Sequence, residues 1–207
     1  MKRKSSELDF LTSLEEGKEV TQKGISNRIS VSIGFVNALI KKFVKKGIIK
    51  VQQAPYKRFV YYLTPEGFSQ KSKLVLDYLT DSLSLFRSMR KEFNEIFSNN
   101  LKCQFIIFGI SEISEIAILS ANEISADIVA VIDPYTHKKT YFNIPVKKKL
   151  PDDIKNLKIL ICSTHNAQKN YFEMVEKYSE DKILAIDSLF ISKKIPNFKP
   201  RKSYERK

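Results

Sequence analysis

The sequence predicts two unlike domains joined by a helix: an α+β unit of three short helices and a hairpin, a long connecting helix, and a small α/β unit built on a parallel sheet. Three observations point there. At 207 residues and 43% hydrophobic composition, the chain suits two modest cores better than one. Its formal net charge of +13 is unevenly spread: residues 1–100 carry 18 Lys/Arg against 10 Asp/Glu, residues 101–192 carry 11 against 12, and residues 193–207 carry 7 against 1. Beyond Asn99-Asn100 the apolar pattern changes from helical stripes to short apolar runs that alternate with helical stretches. The division that follows is 1–67, 68–100, 101–192 and a basic, disordered arm over 193–207. A basic front and tail predict a polyanionic partner, and a neutral middle predicts a different task.

In the front unit, Leu8, Phe10, Leu11 and Leu14 follow helical spacing behind a capping Ser5 or Ser6, which predicts a first helix over 5–14. After Gly17-Lys18, Thr21 caps a short second helix with Ile25 and Ile29 on one face. Ser30-Val31-Ser32 supplies a polar turn, and Ile33 to Lys46 forms a third helix. Its apolar stripe is Val36, Leu39, Ile40, Phe43 and Val44; its other face carries Gly34, Asn37, Ala38, Lys41, Lys42 and Lys45. Two helices joined by a tight turn, the second one small and polar at its start and Lys-rich beyond, meet the requirements for entering a DNA major groove. Ser32, Gly34 and Ala38 allow close approach, Asn37 suits an adenine edge, and the lysines suit phosphates. Gly47 ends the helix, and Ile48–Gln52 and Arg58–Leu63 read as a hairpin whose tip, Tyr56-Lys57-Arg58, is basic and aromatic like a DNA-contacting wing. This is the pattern of a winged helix-turn-helix.

The run Thr21-Gln22, Val31-Ser32, Gly34-Phe35-Val36-Asn37, Lys46-Gly47-Ile48-Ile49-Lys50-Val51 and Leu63-Thr64-Pro65-Glu66-Gly67 resembles winged-helix regulators of the MarR type, particularly the branch associated with exopolysaccharide gene clusters. The resemblance covers residues 5–97 and implies a homodimeric, double-stranded-DNA-binding transcriptional regulator. It adds Thr21, Gln22, Lys23 and Phe35 to the DNA-facing set. Two positions depart from the family pattern: Gly24 falls inside the second helix, and Ser30 stands where the family commonly has Gly.

Residues 68–97 contain no Pro or Gly, and Val75, Leu79, Phe86, Met89, Phe93 and Ile96 recur at spacings near 3.5, which predicts one long helix with an apolar seam. Pairing of that seam with a second subunit is the expectation, with packing on its own second domain as the alternative.

In the back unit, Cys103–Phe108, Ile128–Ile132, Ile159–Cys162 and Ile183–Ile186 read as strands, and 112–123 and 170–178 as helices, an alternation typical of a parallel sheet. The first strand-to-helix turn reads Gly109-x-Ser111-x-x-Ser114, with Asp133 at the end of the next strand. This is the place, with two of three glycines missing, of a dinucleotide fingerprint. Together with Ile144-Pro145-Val146 and Ile159-Leu160-Ile161-Cys162-Ser163 it resembles small Rossmann-like domains of the CoA-binding and sugar-nucleotide-modifying type. The resemblance implies a nucleotide or nucleotide-sugar effector over Gly109, Ser111, Glu112 and Ile113, beside Asp133 and Ser163-Thr164-His165; a domain kept for protein docking is the alternative.

Catalysis is not expected. Cys103 and Cys162 lie in apolar runs without disulfide or metal spacing, His137 and His165 stand alone, and Tyr178-x-x-x-Lys182 is a chance match in a Lys-rich chain. No apolar run reaches the length of a membrane span, so a soluble, cytoplasmic protein is expected. The reading is a sequence-specific regulator with a sensor or docking domain, tied by the family resemblance to surface-polysaccharide genes. The alternatives are a nucleotide-sugar-modifying enzyme with a DNA-targeting module and a protein-binding or architectural winged helix.

Overall fold

The computed structural model describes residues 2–14, 21–54, 58–152 and 154–193. It divides into two units, Met1–Ser84 and Leu85–Lys207, with the division inside a long helix.

The first unit contains α1 (Lys2–Ser13), α2 (Gln22–Arg28), α3 (Ile33–Lys45), an antiparallel pair β1 (Ile49–Ala54) and β2 (Arg58–Leu63), and the start of α4 (Pro65–Ser98). Thr21 and Ser32 hold extended backbone angles, and their hydroxyls accept hydrogen bonds from the Gly24 and Phe35 amides at 3.0 and 3.2 Å, so each starts its helix as a side-chain cap. Val36, Leu39, Ile40 and Phe43 turn inward against Phe10, Leu11, Ile25, Ile48 and Ile49, with the Phe10 and Phe43 rings 5.6 Å apart. Val44, which the spacing placed on this stripe, lies off it and is exposed.

The end of α3 shows why Gly47 is there. The Gly47 amide donates to Val44 and the Ile48 amide to Phe43, a paired closure that needs a left-handed residue, and Gly47 has φ +68°. The Leu63-Thr64-Pro65-Glu66-Gly67 run is equally local in its logic. Thr64 accepts the Gly67 amide at 3.1 Å and reaches the Gly47 carbonyl at 2.6 Å, Pro65 fills a first-turn position that needs no donor, and Glu66 places an anion there. Gly67 itself lies against the Ile48 carbonyl, so closely that a side chain would overlap it.

Ser30 takes φ +53°. The glycine preferred in the related pattern therefore answers a real backbone demand. Ser30→Gly should stabilise the first unit by up to about 1 kcal/mol, the relief of a left-handed L-residue less the extra chain entropy of glycine. An unchanged or lower midpoint in urea unfolding would contradict it.

The second unit is a six-stranded sheet in the order β5 (Thr140–Tyr141), β6 (Ile144–Lys147), β4 (Ile128–Ile132), β3 (Gln104–Phe108), β7 (Leu157–Ile161), β8 (Ile183–Leu184). All neighbours run parallel except β5 with β6. Helices α5 (Glu112–Glu123) and α6 (Ala167–Tyr178) cover it. The strands read as unbroken apolar runs because both faces are buried. Phe105, Ile107, Val131, Leu160 and Cys162 face one core, and Ile106, Ile132, Ile159 and Ile161 the other with Tyr171 and Met174 of α6. The spacing did not announce the β5–β6 hairpin, since two strands of two and four residues are too short to show alternation.

The second half of α4 belongs to this unit. Met89, Phe93 and Phe97 are buried in the first of these cores, with Ile96 packed against it, and Phe97 meets Phe105 edge-on at 4.8 Å. Arg90 pairs with Glu123, and Glu92 accepts from both the amide and hydroxyl of Ser188. The seam expected to face a second subunit is therefore divided. Met89, Phe93 and Ile96 pack on the chain's own sheet, Val75 and Phe86 are half-buried, and Leu79 is exposed together with Leu76 and Leu83. The sequence spacing cannot separate these roles, because one helical period serves both.

Candidate nucleic-acid interface

The outer face of α3 is a continuous row. Ile33, Gly34, Ala38, Lys41 and Lys45 are exposed, Asn37 is half-buried among them, and the helix contains no acidic residue. An α-helix repeats its face every three to four residues, so Ile33, Asn37 and Lys41 project along one line and Gly34, Ala38, Lys41 and Lys45 along its neighbour. The two glycine and alanine sites leave a low strip, and the lysines stand beyond it. Ile33 was not singled out from the sequence; its signal was the i, i+4 step to Asn37.

Several expected DNA contacts have other partners. Lys42 reaches across to Glu7 at 2.5 Å and joins α3 to α1. The Gln22 amide donates to the Tyr61 hydroxyl at 3.0 Å, tying α2 to β2. Phe35 is half-buried and packs on the core. Thr21 and Ser32 carry the helix caps already described, while Lys23 is exposed. Tyr56 and Lys57 lie outside the described residues, as do residues 194–207, and of Arg58 only the backbone, at the start of β2, is described.

In the second unit the expected ligand residues do converge, at the carboxyl ends of β3, β4 and β7. They converge on one another. The Asp133 carboxylate accepts the Ile110 amide at 3.1 Å on one oxygen and the Tyr135 and Thr136 amides at 2.9 and 3.2 Å on the other. The Ser111 hydroxyl donates to the Cys162 carbonyl and accepts the Ile113 and Ser114 amides, and the Ser114 hydroxyl accepts the Ser111 amide, closing a capping box. The Ser111, Ile113 and Ser114 amides, which a phosphate at this turn would use, already have acceptors, and Glu112 and Glu115 add negative charge to that first turn. Gly109, at φ +95°, is packed against Ser163: a β-carbon there would stand 2.5–2.7 Å from Ser163 backbone and Cβ atoms. Its lack of a side chain admits the β7 loop, which is a sufficient reason for glycine without any ligand. Ile113 is buried, and Thr164 and His165 are exposed, with the His165 carbonyl accepting from Ser163 and Asn170.

The groups that suggest chemistry are also occupied. Complete burial pushes the Cys162 thiol well above its ordinary value, which suppresses the thiolate a nucleophile requires. The Tyr178 hydroxyl donates to the Pro151 carbonyl and the Lys182 ammonium to the Ile154 carbonyl, so the two polar ends of the Tyr-x-x-x-Lys match are held by separate backbone groups. Burial, followed by repulsion from Glu115 and Glu112, raises Tyr141 against the opposing hydrogen bond from Ser114. Among the described residues no three His, Cys, Asp or Glu side chains form a metal-sized group, and no helix is long and apolar enough to cross a membrane.

No protein-family model matches this chain, and no curated protein does. Among solved structures it is similar to MepR, a transcription regulator of the Staphylococcus aureus multidrug efflux pump MepA, at 19% identity over 46% of this chain and 73% of that one, with a TM-score of 0.37. A protein of unknown function from Listeria innocua Clip11262 is similar at 16% identity over 59% and 73% of the two chains, with a TM-score of 0.32.

Proposed function

We propose that the protein is a sequence-specific DNA-binding regulator that reads the major groove with α3 and acts as a homodimer. The observation that carries this reading is the outer face of α3: an acid-free row of small, amide and lysine side chains on a helix whose opposite face is locked into a core. In the groove, Asn37 offers the paired donor and acceptor that suit adenine, Ile33 suits a thymine methyl, and Lys41 and Lys45 suit the flanking phosphates. Leu76, Leu79 and Leu83, exposed at spacings of three and four on α4, support a helix-to-helix pairing of two copies.

A binding role, not catalysis, is our reading of the second unit, and its parallel strands, ordered 3-2-1-4-5, support reading it as Rossmann-like. The internal hydrogen bonds of Asp133 and Ser111 favour docking over nucleotide sensing, since a pyrophosphate would have to displace them. The control of surface-polysaccharide genes rests on the family resemblance alone.

Mutant affinities separate this reading from a protein-binding winged helix. Asn37→Ala should cost about 1–3 kcal/mol on the selected operator and relax preference at one base step, whereas Lys41→Ala should weaken specific and random duplexes alike. Equal losses for Asn37→Ala on both duplexes would remove it as a base reader. No measurable duplex binding by the unmodified protein would remove the function.

A further inference from the structure

The second unit separates its charge. Residues 133–149 hold five lysines and one acid, and the remainder of 101–192 holds six lysines against eleven acids. The fold gathers the basic part at one place. Because β6 runs parallel to β4, the segments that follow them leave the sheet at the same edge. The Asp133 amide donates to the Lys147 carbonyl at 3.0 Å, the Val146 amide to the Lys139 carbonyl at 2.9 Å, and the Lys148 ammonium to the carbonyls of Pro134 and Thr136. Two loops are thereby tied into one surface. On it Lys138, Lys139, Lys147 and Lys149 are exposed, and Tyr135 stands 87% exposed beside them. Lys138 lies over the Tyr141 ring, while the side chains of Lys139, Lys147 and Lys149 have no ion-pair partner among the described residues. The single acid, Asp133, is turned inward to three backbone amides.

The chemistry of this surface selects its occupant. Residues 101–192 contain no arginine. Lysine is a hydrated point charge on a flexible stem, depleted from protein interfaces and suited to phosphate contacts that carry no sequence information. Over 133–149 no Leu, Ile, Val or Met is exposed; the exposed apolar groups are Pro134, Pro145 and the rings of Tyr135 and Phe142, separate groups and not an aliphatic face that would enter a lipid surface. We propose that the carboxyl edge of β4 and β6 is a second, sequence-independent contact for duplex DNA, made to its phosphates by Lys139, Lys147 and Lys149. The proposal rests on the reading of α3 as a DNA-binding helix and extends the contact to the other unit of the chain.

The test is a salt series of anisotropy titrations on a selected operator and a random duplex, using the full chain, its Lys139→Gln/Lys147→Gln/Lys149→Gln variant, and a Lys41→Gln/Lys45→Gln variant. Each neutralised phosphate contributes about 0.9 to the slope of log affinity against log salt, so the edge variant should lower that slope by about 2–3 per protomer, equally on both duplexes. These side chains are exposed, so thermal unfolding should be unchanged. If the slope stays at the unmodified value while the α3 variant loses binding, the edge contact is overturned and the α3 reading stands. If the unmodified protein binds neither duplex, both fall together. If DNA binding is unaffected but the edge variant alone is released from vesicles containing phosphatidylserine, the surface is a membrane contact and the proposal is overturned.

Discussion

Affinity for duplex DNA should fall by about three to five powers of ten between about 50 and 200 mM salt. The first unit exposes Lys23, Lys41, Lys45, Lys46 and Lys50 on or next to its reading elements. A two-fold pair of such units offers ten cations, and neutralising six to ten phosphates releases that many condensed counterions. The first units alone should then contribute about −5 to −9 to the slope of log affinity against log salt, before any contact made by the second unit. Lys42 provides an internal contrast. Its ammonium is already paired with Glu7, so Lys42→Gln should leave the slope nearly unchanged while loosening α3 from α1. Titrations at four salt concentrations decide the matter: a flat response means that binding does not run through phosphate contacts and removes the DNA reading altogether.

Legibility in the sequence followed the range of the interaction. Thr21, Ser32, Gly47 and the Leu-Thr-Pro-Glu-Gly run act within a few residues of themselves, and each is found where its chemistry requires, as caps and turns. The strands β3, β4 and β7 were readable as well, because short apolar runs that alternate with helical stretches fit a parallel sheet with helices on its faces. Long-range partners were not readable. Nothing adjacent to Lys42 reveals Glu7, and nothing adjacent to Gln22 reveals Tyr61. The α4 seam was readable as a helix stripe but not in its partners: Met89 and Phe93 keep the spacing of Leu79, but that they are covered by the chain's own core is a property of the sheet that begins at Gln104. Asp133 shows the same limit at the candidate ligand site. Its position matched a ribose-binding acid, and only the fold reveals three backbone amides already holding its carboxylate.

Gly67→Ala and Gly109→Ala should each destabilise their own unit by about 3 kcal/mol or more, for different reasons. At Gly67 the added carbon overlaps the Ile48 carbonyl oxygen, with Leu63 also at 3.2 Å. That oxygen accepts the Thr64 amide and hydroxyl, so it cannot withdraw without breaking the junction between β2 and α4. At Gly109 the carbon meets Ser163 at 2.5–2.7 Å, and φ +95° adds the strain of a left-handed side-chain residue. Ser163 in turn is the second residue after β7, and the Cys162 and Ser163 amides that follow the strand both donate to the Phe108 carbonyl, so relief would have to shift the end of a central strand. Overpacking against backbone costs about 1–3 kcal/mol and more where nothing can move, against a total stability of about 5–15 kcal/mol for a domain. Gly34→Ala is the control. Its added carbon meets only the Ser32 hydroxyl at 4.0 Å, and alanine is favoured over glycine inside a helix by about 1 kcal/mol, so the fold should become more stable while the raised strip weakens DNA binding. Urea unfolding followed separately for each unit by hydrogen exchange would settle it. If Gly67→Ala leaves the first unit's protection intact, the close approach to Ile48 is not the constraint that holds α4 against the hairpin.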